Sequence, residues 1–330
     1  MSARPDLLGS EALALAARGK APCSLWRQAG GRFRRNRAAM GSIVILALIA
    51  LTSIFVPMFW PHGIEDASWE SILVPPGTAG WHWFGTDANG RDLLVRTFYG
   101  GRISLTIGLL TTVVALVIGV TYGAVAGFVG GRTDGFMMRF VDVLYSLPLI
   151  FFIIILVTVF GRNIFLVFIA IGAVEWLTMS RIVRGQTLTV KAKEYVESAV
   201  AIGLSRGAIL RRYIIPNVLG PMIIYVTLLI PTNIIVESYL SFLGLGVQEP
   251  LTSWGLLISQ GAGQLDSTPW LIAFPATFLA VTMFCFNFIG DGQREALDPP
   301  DRERGRRRVS LAVEANELKK RLRRCRGEVN

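Results

Sequence analysis

The chain has 330 residues, of which 52% are hydrophobic and only 17% charged, and its mean hydropathy is +0.51. This composition is typical of a membrane protein and argues against both a disordered chain and an ordinary soluble domain. Three cysteines in a chain of this length also exclude a small disulfide-stabilised fold. The formal net charge of +10 does not by itself indicate nucleic-acid binding, because the distribution of basic residues in a membrane protein primarily reflects its orientation in the membrane.

Six apolar runs are long enough to cross a bilayer, which requires about 17 to 25 helical residues. In chain order they cover residues 41–60, 103–129, 140–160, 163–180, 218–240 and 269–290. We therefore predict an all-α fold, a polytopic membrane helical bundle with six transmembrane helices. About forty residues precede the first run, so this run is predicted to remain as an uncleaved anchor rather than to act as a signal peptide.

The basic residues predict how this bundle is oriented. If the N-terminus is cytoplasmic, 29 of the 33 Lys and Arg residues lie on the cytoplasmic side and four lie outside. The positive-inside rule then predicts that both termini are cytoplasmic. The same topology explains much of the net positive charge, so no nucleic-acid partner is predicted.

Signatures of catalysis are missing from the sequence. No Gly-x4-Gly-Lys-Ser/Thr loop for binding ATP phosphates occurs. His62 and His82 are the only histidines, and neither has a metal-ligand spacing with Cys, Asp or the other His, so they are interpreted as ordinary surface or interface residues. We predict a transporter or channel component that is not an enzyme and has no cofactor or metal.

Three glycines in the second run follow the spacing Gly119-x3-Gly123-x3-Gly127. This spacing places all three on one face of a helix and allows another helix to approach closely. We expect the neighbouring helix to belong to this chain, with an interface to a second subunit as the alternative.

Two carboxylates lie deep within the apolar runs before the sixth, and an intramembrane acid is a candidate for a pathway or gating role. Glu175 lies six residues before Arg181, near the inner boundary of the fourth run, where it could also be solvated or paired. Glu237 lies at the outer end of the fifth run, and we favour a structural hydrogen-bonding role for it over substrate contact.

The inner loop 181–217 is too long to be a simple turn. Apolar residues follow helical spacing on both sides of Gly203, which predicts two short helices that meet at this glycine. Ser205 is a plausible cap for the second helix, and Pro216 is predicted to end it before the fifth run. The first helix would then offer an amphipathic projection to a soluble partner.

The pattern Glu197-x-Ala199-x3-Gly203, followed by Pro216, resembles the EAA loop of ABC importer permeases, with Ser198 in place of the second alanine. Further segments are similar to the C-type permeases of dipeptide and oligopeptide importers. They are Phe84-Gly-Thr-Asp87-x-x-Gly90-Arg91-Asp92, Asp134-x4-Arg139-x-x-Asp142, Glu237-x-x-Leu240-Ser-Phe-Leu-Gly244-Leu-Gly246 and Gly290-Asp291-x3-Glu295-Ala-Leu297-Asp298-Pro299. The last segment departs from the family pattern, because Gly292 and Gln293 replace an expected Trp-Leu.

This resemblance implies a permease subunit in the inner membrane of a bacterium. It implies a heterodimer with a homologous permease, two cytoplasmic ATPase subunits and an extracytoplasmic substrate-binding protein. Residues Glu197, Ala199, Gly203, Ser205 and Pro216 would then belong to the element that couples the ATPases to transport. Peptides, nickel or other solutes remain open as the substrate.

The chain is accordingly divided into a cytoplasmic tail over 1–40, a first transmembrane helix with its outer loop over 41–80, an ABC permease domain over 81–300 and a basic cytoplasmic tail over 301–330. The last tail is expected to be attracted to anionic membrane lipid. A secondary transporter or channel subunit that works without ATPases is the alternative function, although its runs supply few of the intramembrane charges that such proteins use. A membrane-anchored scaffold is a further alternative.

Overall fold

The computed structural model describes residues 25–78, 80–160 and 164–297. Within these ranges the regular structure is helical, and the only β-type pairing is an isolated bridge between Thr86 and Asp92. The all-α prediction is therefore confirmed for the described residues. Residues 1–24 of the predicted N-terminal tail and the whole predicted tail over 301–330 lie outside them.

Eleven helices follow one another in the described part of the chain, and a short 3-10 turn (Trp69–Ser71) lies between the second and the third. The helices are α1 (Leu25–Arg35), α2 (Arg37–Phe59), α3 (Leu93–Val129), α4 (Gly131–Ser146), α5 (Leu149–Phe160), α6 (Ile164–Lys191), α7 (Glu194–Ala201), α8 (Arg206–Ile209), α9 (Ile215–Phe242), α10 (Trp254–Ala262) and α11 (Trp270–Leu297). A π-helical turn (Leu210–Ile214) joins α8 to α9 without a break.

Four helices are long and apolar enough to cross a membrane: α2, α3, the continuous helix Arg206–Phe242 and α11. The α4–α5 pair is bent by 82° and would be a fifth crossing if it is one broken span. Length and composition of the described helices thus identify four or five candidate spans, where the sequence predicts six. Each predicted run nevertheless lies within or across a helical segment.

Two of the predicted runs have different bounds in the structure. The run 140–160 is not one helix, because α4 ends at Ser146 and α5 begins after Pro148, whose ring disfavours a helical conformation in the preceding residue. The run 103–129 is part of α3, which begins ten residues earlier, at Leu93. Asp92 caps this early start, since its side chain accepts a hydrogen bond of 3.0 Å from the backbone N–H of Val95.

The close contact between α3 and α6 organises the packing of residues 41–290, which form one compact unit. Gly119, Gly123 and Gly127 all face α6, and a Cβ atom added at Gly123 would overlap the carbonyl oxygen of Ser180 and lie 2.9 Å from the Cβ atom of Val183. The glycine spacing therefore allows the two backbones to approach closely. The predicted packing within the chain is confirmed.

The described residues before Gly41 and after Gly290 form a second, smaller unit. Here the side chain of Asn36 donates a hydrogen bond of 3.0 Å to Glu295. A Cβ atom at Gly292 would lie 2.6 Å from that of Ala39, which is fully buried. This close approach leaves no room for a bulky side chain at Gly292.

Candidate functional site

The predicted loop 181–217 contains α7 and α8, which meet at Gly203 as the sequence indicates. Gly203 has a φ of +81°, in the left-handed region that favours glycine. Its N–H donates to the carbonyl of Val200 (3.0 Å), and the N–H of Leu204 donates to that of Ala199 (3.2 Å). These two bonds form a Schellman motif, which satisfies the last carbonyls of α7 and fixes the direction in which the chain leaves it.

The second helix begins as predicted but ends much later. The hydroxyl of Ser205 accepts a hydrogen bond from the N–H of Ala208 and so caps α8. The prediction that Pro216 ends this helix is wrong, because Pro216 lies in the first turn of α9 and the helix continues to Phe242. In the preceding π turn the N–H of Ile215 donates to Leu210, five residues back. This wider turn accommodates the proline ring, which in a regular helix clashes with the carbonyl four residues earlier.

One face of α7 is anchored in the protein interior. Val196 and Ala199 are almost completely buried, at 1% and 2% exposure. They belong to an apolar cluster contributed by α3, α6, α7, α8, the π turn and α9, whose members include Val120, Phe128, Val183, Ile209, Ile214 and Val218. Burial of these side chains holds α7 against the ends of the long helices.

Side chains beside this buried face and in the residues after α7 are exposed and largely apolar. Ile202 is 76% exposed and Val200 57%, and Tyr195 and Leu204 are also exposed. Glu197 lies on the same exposed part of the helix. We call these five residues the α7 surface. Exposed apolar side chains rimmed by charge are typical of a protein interaction site.

Two polar contacts hold the helices that carry α7. Arg184 of α6 donates two hydrogen bonds, of 2.5 and 2.6 Å, to the carboxylate of Asp134 in α4. Lys191, at the end of α6, donates a bond of 2.7 Å to the carbonyl of Phe128 in the last turn of α3. A cation at this position also interacts favourably with the negative end of the α3 dipole.

Glu237 lies far from α7 along the continuous helix, in a buried polar network. Its carboxylate accepts hydrogen bonds from Ser104 of α3 (3.1 Å) and from Ser241 of its own helix (2.7 Å). Ser241 also lies 3.3 Å from the hydroxyl of Ser253, the cap of α10, and the N–H of Trp254 donates to Ser104. The network thus connects α3, α9 and the start of α10.

Glu175 lies on α6 and is half-buried, next to Val174, which belongs to the apolar cluster that also contains Leu240. The structure therefore brings Glu197, Ala199, Gly203 and Ser205 together around α7. Glu175 and Glu237 lie on other elements and do not belong to that site.

A cluster of charged side chains lies between the loop before α3 and the segment before α10. The guanidinium of Arg96 is almost completely buried and pairs with Asp87, which also accepts a bond of 2.8 Å from Arg91. Arg91 donates a further bond of 2.9 Å to Glu249, which also accepts one from Gln260. The bond from Arg91 lowers the pKa of the Glu249 carboxyl below its usual value, so this carboxylate stays charged at neutral pH.

Sequence analysis missed several of these features. The pairing of Arg184 with Asp134 joins residues 50 positions apart, and no local spacing indicates it. Both aspartates of the segment Asp134-x4-Arg139-x-x-Asp142 pair with arginines of α6, since Asp142 accepts a bond from Arg181. The exposure of Val200 and Ile202 was also missed, because helical spacing places them close to the side of Val196 and Ala199.

Comparison with known proteins gives two family matches. The profile described as "Binding-protein-dependent transport system inner membrane component" matches residues 119–300. The profile of the "N-terminal TM domain of oligopeptide transport permease C" matches residues 24–76. Residues 77–118, which include most of α3, lie between the two matches.

Individual relatives are similar over most of their length. The oligopeptide transport system permease protein OppC of Haemophilus influenzae is 56% identical over 279 residues, which are 84% of this chain and 90% of that protein. OppC of Escherichia coli K12 is 54% identical over 84% of this chain and 92% of its own. The dipeptide transport system permease protein DppC of Bacillus subtilis is 41% identical over 83% of this chain and 84% of its own.

Proposed function

The chain belongs to the family of binding-protein-dependent transport system inner membrane components, and we propose that it serves an ATP-driven importer of oligopeptides. It is a permease subunit of an ABC importer and a multi-pass protein of the bacterial inner membrane. The peptide substrate is supported by the oligopeptide permeases among its relatives, which are more than half identical to it.

We further propose the partners of such an importer. A homologous permease would complete the translocation path, two cytoplasmic ATPase subunits would supply energy, and an extracytoplasmic binding protein would deliver the peptide. The chain itself would be a transport component rather than an enzyme, and it would hydrolyse no ATP because it contains no Gly-x4-Gly-Lys-Ser/Thr loop.

The observation that carries this proposal is the α7 surface. A short helix with a buried face of Val196 and Ala199 presents Val200 and Ile202 to solvent. Apolar side chains in this position favour burial against a partner, because each one buried fully contributes about 1.5–3 kcal/mol. We assign the α7 surface, which includes Glu197, together with Gly203 and Ser205 to docking of an ATPase subunit.

Glu237 has a different proposed role. Its two hydroxyl partners and its complete burial favour a structural role at the outer ends of α3, α9 and α10 over substrate contact. Glu175 remains a candidate for the pathway, because it lies in a predicted span and has a half-exposed side chain.

Reconstitution tests the proposed function. Proteoliposomes that contain both permeases and both ATPases should take up a labelled oligopeptide in the presence of ATP and the binding protein. Uptake should stop when this chain is omitted, and the purified chain alone should hydrolyse no ATP. Peptide uptake by the chain without ATPases would instead favour a secondary transporter or channel.

We also propose six crossings with both termini in the cytoplasm. The bent pair α4–α5 and residues 164–180 of α6 would supply the two crossings beyond the four apolar helices. The segment 164–180 contains one charged residue, Glu175, and is about 26 Å long as a helix, close to the thickness of the hydrocarbon core. We also propose domain boundaries at residues 40, 80 and 300, which separate the N-terminal tail, the first transmembrane helix with its outer loop, the permease domain and the C-terminal tail.

Reporter fusions test this topology. Fusions after residues 75 and 260 should report outside, and fusions after 200 and 310 should report inside, because the basic residues are retained on the cytoplasmic side. A paired alkaline phosphatase and fluorescent protein reporter measures both compartments. A cytoplasmic signal from the fusion after residue 260 contradicts the six-span arrangement.

A further inference from the structure

Three residues with metal-binding side chains meet in the outer loop between α2 and α3, although they are distant in sequence. His62 lies just after the end of α2, His82 lies in the middle of the loop, and Asp92 caps α3. One potential ligand atom from each residue lies within 4.8 Å of the other two. The spacing of the histidines gave no indication of this arrangement, because the loop between them folds back.

The two imidazoles lie close together. The rings of His62 and His82 stack with their centroids 4.5 Å apart and their planes 23° apart. The Nδ1 atom of His82 lies 2.7 Å from the Oδ2 atom of Asp92, and the other oxygen of that carboxylate accepts the capping bond from Val95. The capping bond thus holds the Asp92 carboxylate next to the ring of His82.

One imidazole nitrogen of these three residues makes no hydrogen bond within the described part of the chain. The Nε2 atom of His62 is buried and has no hydrogen-bond partner among the described residues. A buried polar atom without a partner is costly, so such an atom calls for an explanation. Trp60 packs edge to face against Trp81 and Trp83, with ring centroids 5.9 and 5.1 Å apart. In the sequence Trp60 lies two residues before His62, and the other two tryptophans flank His82.

We propose that His62, His82 and Asp92 form a binding site for a divalent transition metal ion, with Zn²⁺ as the ion that best suits it. Two imidazoles and one carboxylate are a common zinc ligand set, with bonds of about 2.0–2.2 Å and water in the fourth position. Tetrahedral ligand atoms then lie about 3.3 Å apart, which side-chain rotation can achieve from the observed separations. The bound ion would tie the end of α2 to the start of α3 on the outer side of the proposed topology.

Zinc binding to the purified chain tests this site directly. The chain would be purified with a tag that contains no histidine, placed in nanodiscs and titrated with Zn²⁺ alone. We expect one ion per chain with a dissociation constant in the micromolar range, and X-ray absorption should show nitrogen and oxygen ligands. Absence of binding, or a sulfur ligand shell from the cysteines, overturns the proposal.

Two substitutions separate the site from adventitious binding. His62→Phe keeps a ring for stacking but removes the nitrogens, and His82→Asn keeps a donor for Asp92 but removes the imidazole. Each should weaken zinc binding at least tenfold while the amount of folded protein is unchanged. Glu65→Gln removes an exposed acid of the same loop and should bind zinc like the wild type. Wild-type affinity in both histidine variants overturns the proposal.

Discussion

Replacement of Gly203 by valine is expected to lower ATP-driven uptake and ATPase association together by about tenfold, with little change in the amount of protein in the membrane. The φ of +81° at this position is strained for a β-branched residue by about 1–2 kcal/mol. A difference of about 1.4 kcal/mol corresponds to a factor of ten in an equilibrium constant. A side chain at Gly203 meets no described atom within 4 Å of its Cβ, so the effect should come from the backbone alone.

The neighbouring sequence offers two matched controls for this prediction. Gly203→Asn should retain most of the activity, because asparagine tolerates the left-handed region. Gly207→Val places the same side chain in α8, where its Cβ also meets no described atom within 4 Å and φ is not positive. Co-purification of the ATPases and uptake would be measured in all three variants. Equal uptake by Gly203→Val and Gly207→Val would show that the Schellman turn does not direct the α7 surface.

Replacement of Gly123 by valine should, unlike Gly203→Val, remove most of the folded protein from the membrane. Its Cβ would overlap the carbonyl oxygen of Ser180 on α6, and the backbone cannot rotate away as a side chain can. Overpacking of a tight contact costs about 1–3 kcal/mol and occasionally more. Since α3 and α6 meet along the whole glycine face, we expect these helices to separate and membrane abundance to fall severalfold.

Gly185→Val is the control for this substitution. Gly185 lies on α6 itself, and a Cβ there meets no described atom within 4 Å. Both variants replace a helical glycine by valine, so their helix propensities change equally, but only Gly123→Val creates a clash. Immunoblots of membrane fractions and the melting temperature in detergent would compare the two variants. If both accumulate equally and melt at the same temperature, the close contact of α3 with α6 contributes little to stability.

Sequence reasoning predicted helix content well because the apolar runs are long and nearly free of charge. It placed helix ends less accurately where the end depends on one side chain. Asp92 starts α3 ten residues before the apolar run, and Pro148 breaks a run that hydropathy alone would join. Pro216 had the reverse effect, since a π turn allows the helix to continue through it.

Sequence reasoning predicted the parts of the candidate site that depend only on residues close together in the chain. Gly203 and Ser205 occupy the positions that a left-handed turn and a helix cap require, and both are determined by neighbouring residues in the chain. The contacts of Arg184 with Asp134 and of His82 with Asp92 depend on how distant segments pack. Such pairs can be recognised only when the positions of the helices are known.

The continuity of the helix Arg206–Phe242 has a mechanical consequence. Its 37 residues span about 55 Å; its first turns lie close to the α7 surface in the chain, and the buried carboxylate of Glu237 lies near its other end. A rod of this length converts a small tilt at one end into a larger displacement at the other. A tilt of about 5° about the end next to the α7 surface moves the end near Glu237 by roughly 5 Å, which is comparable to one helical turn.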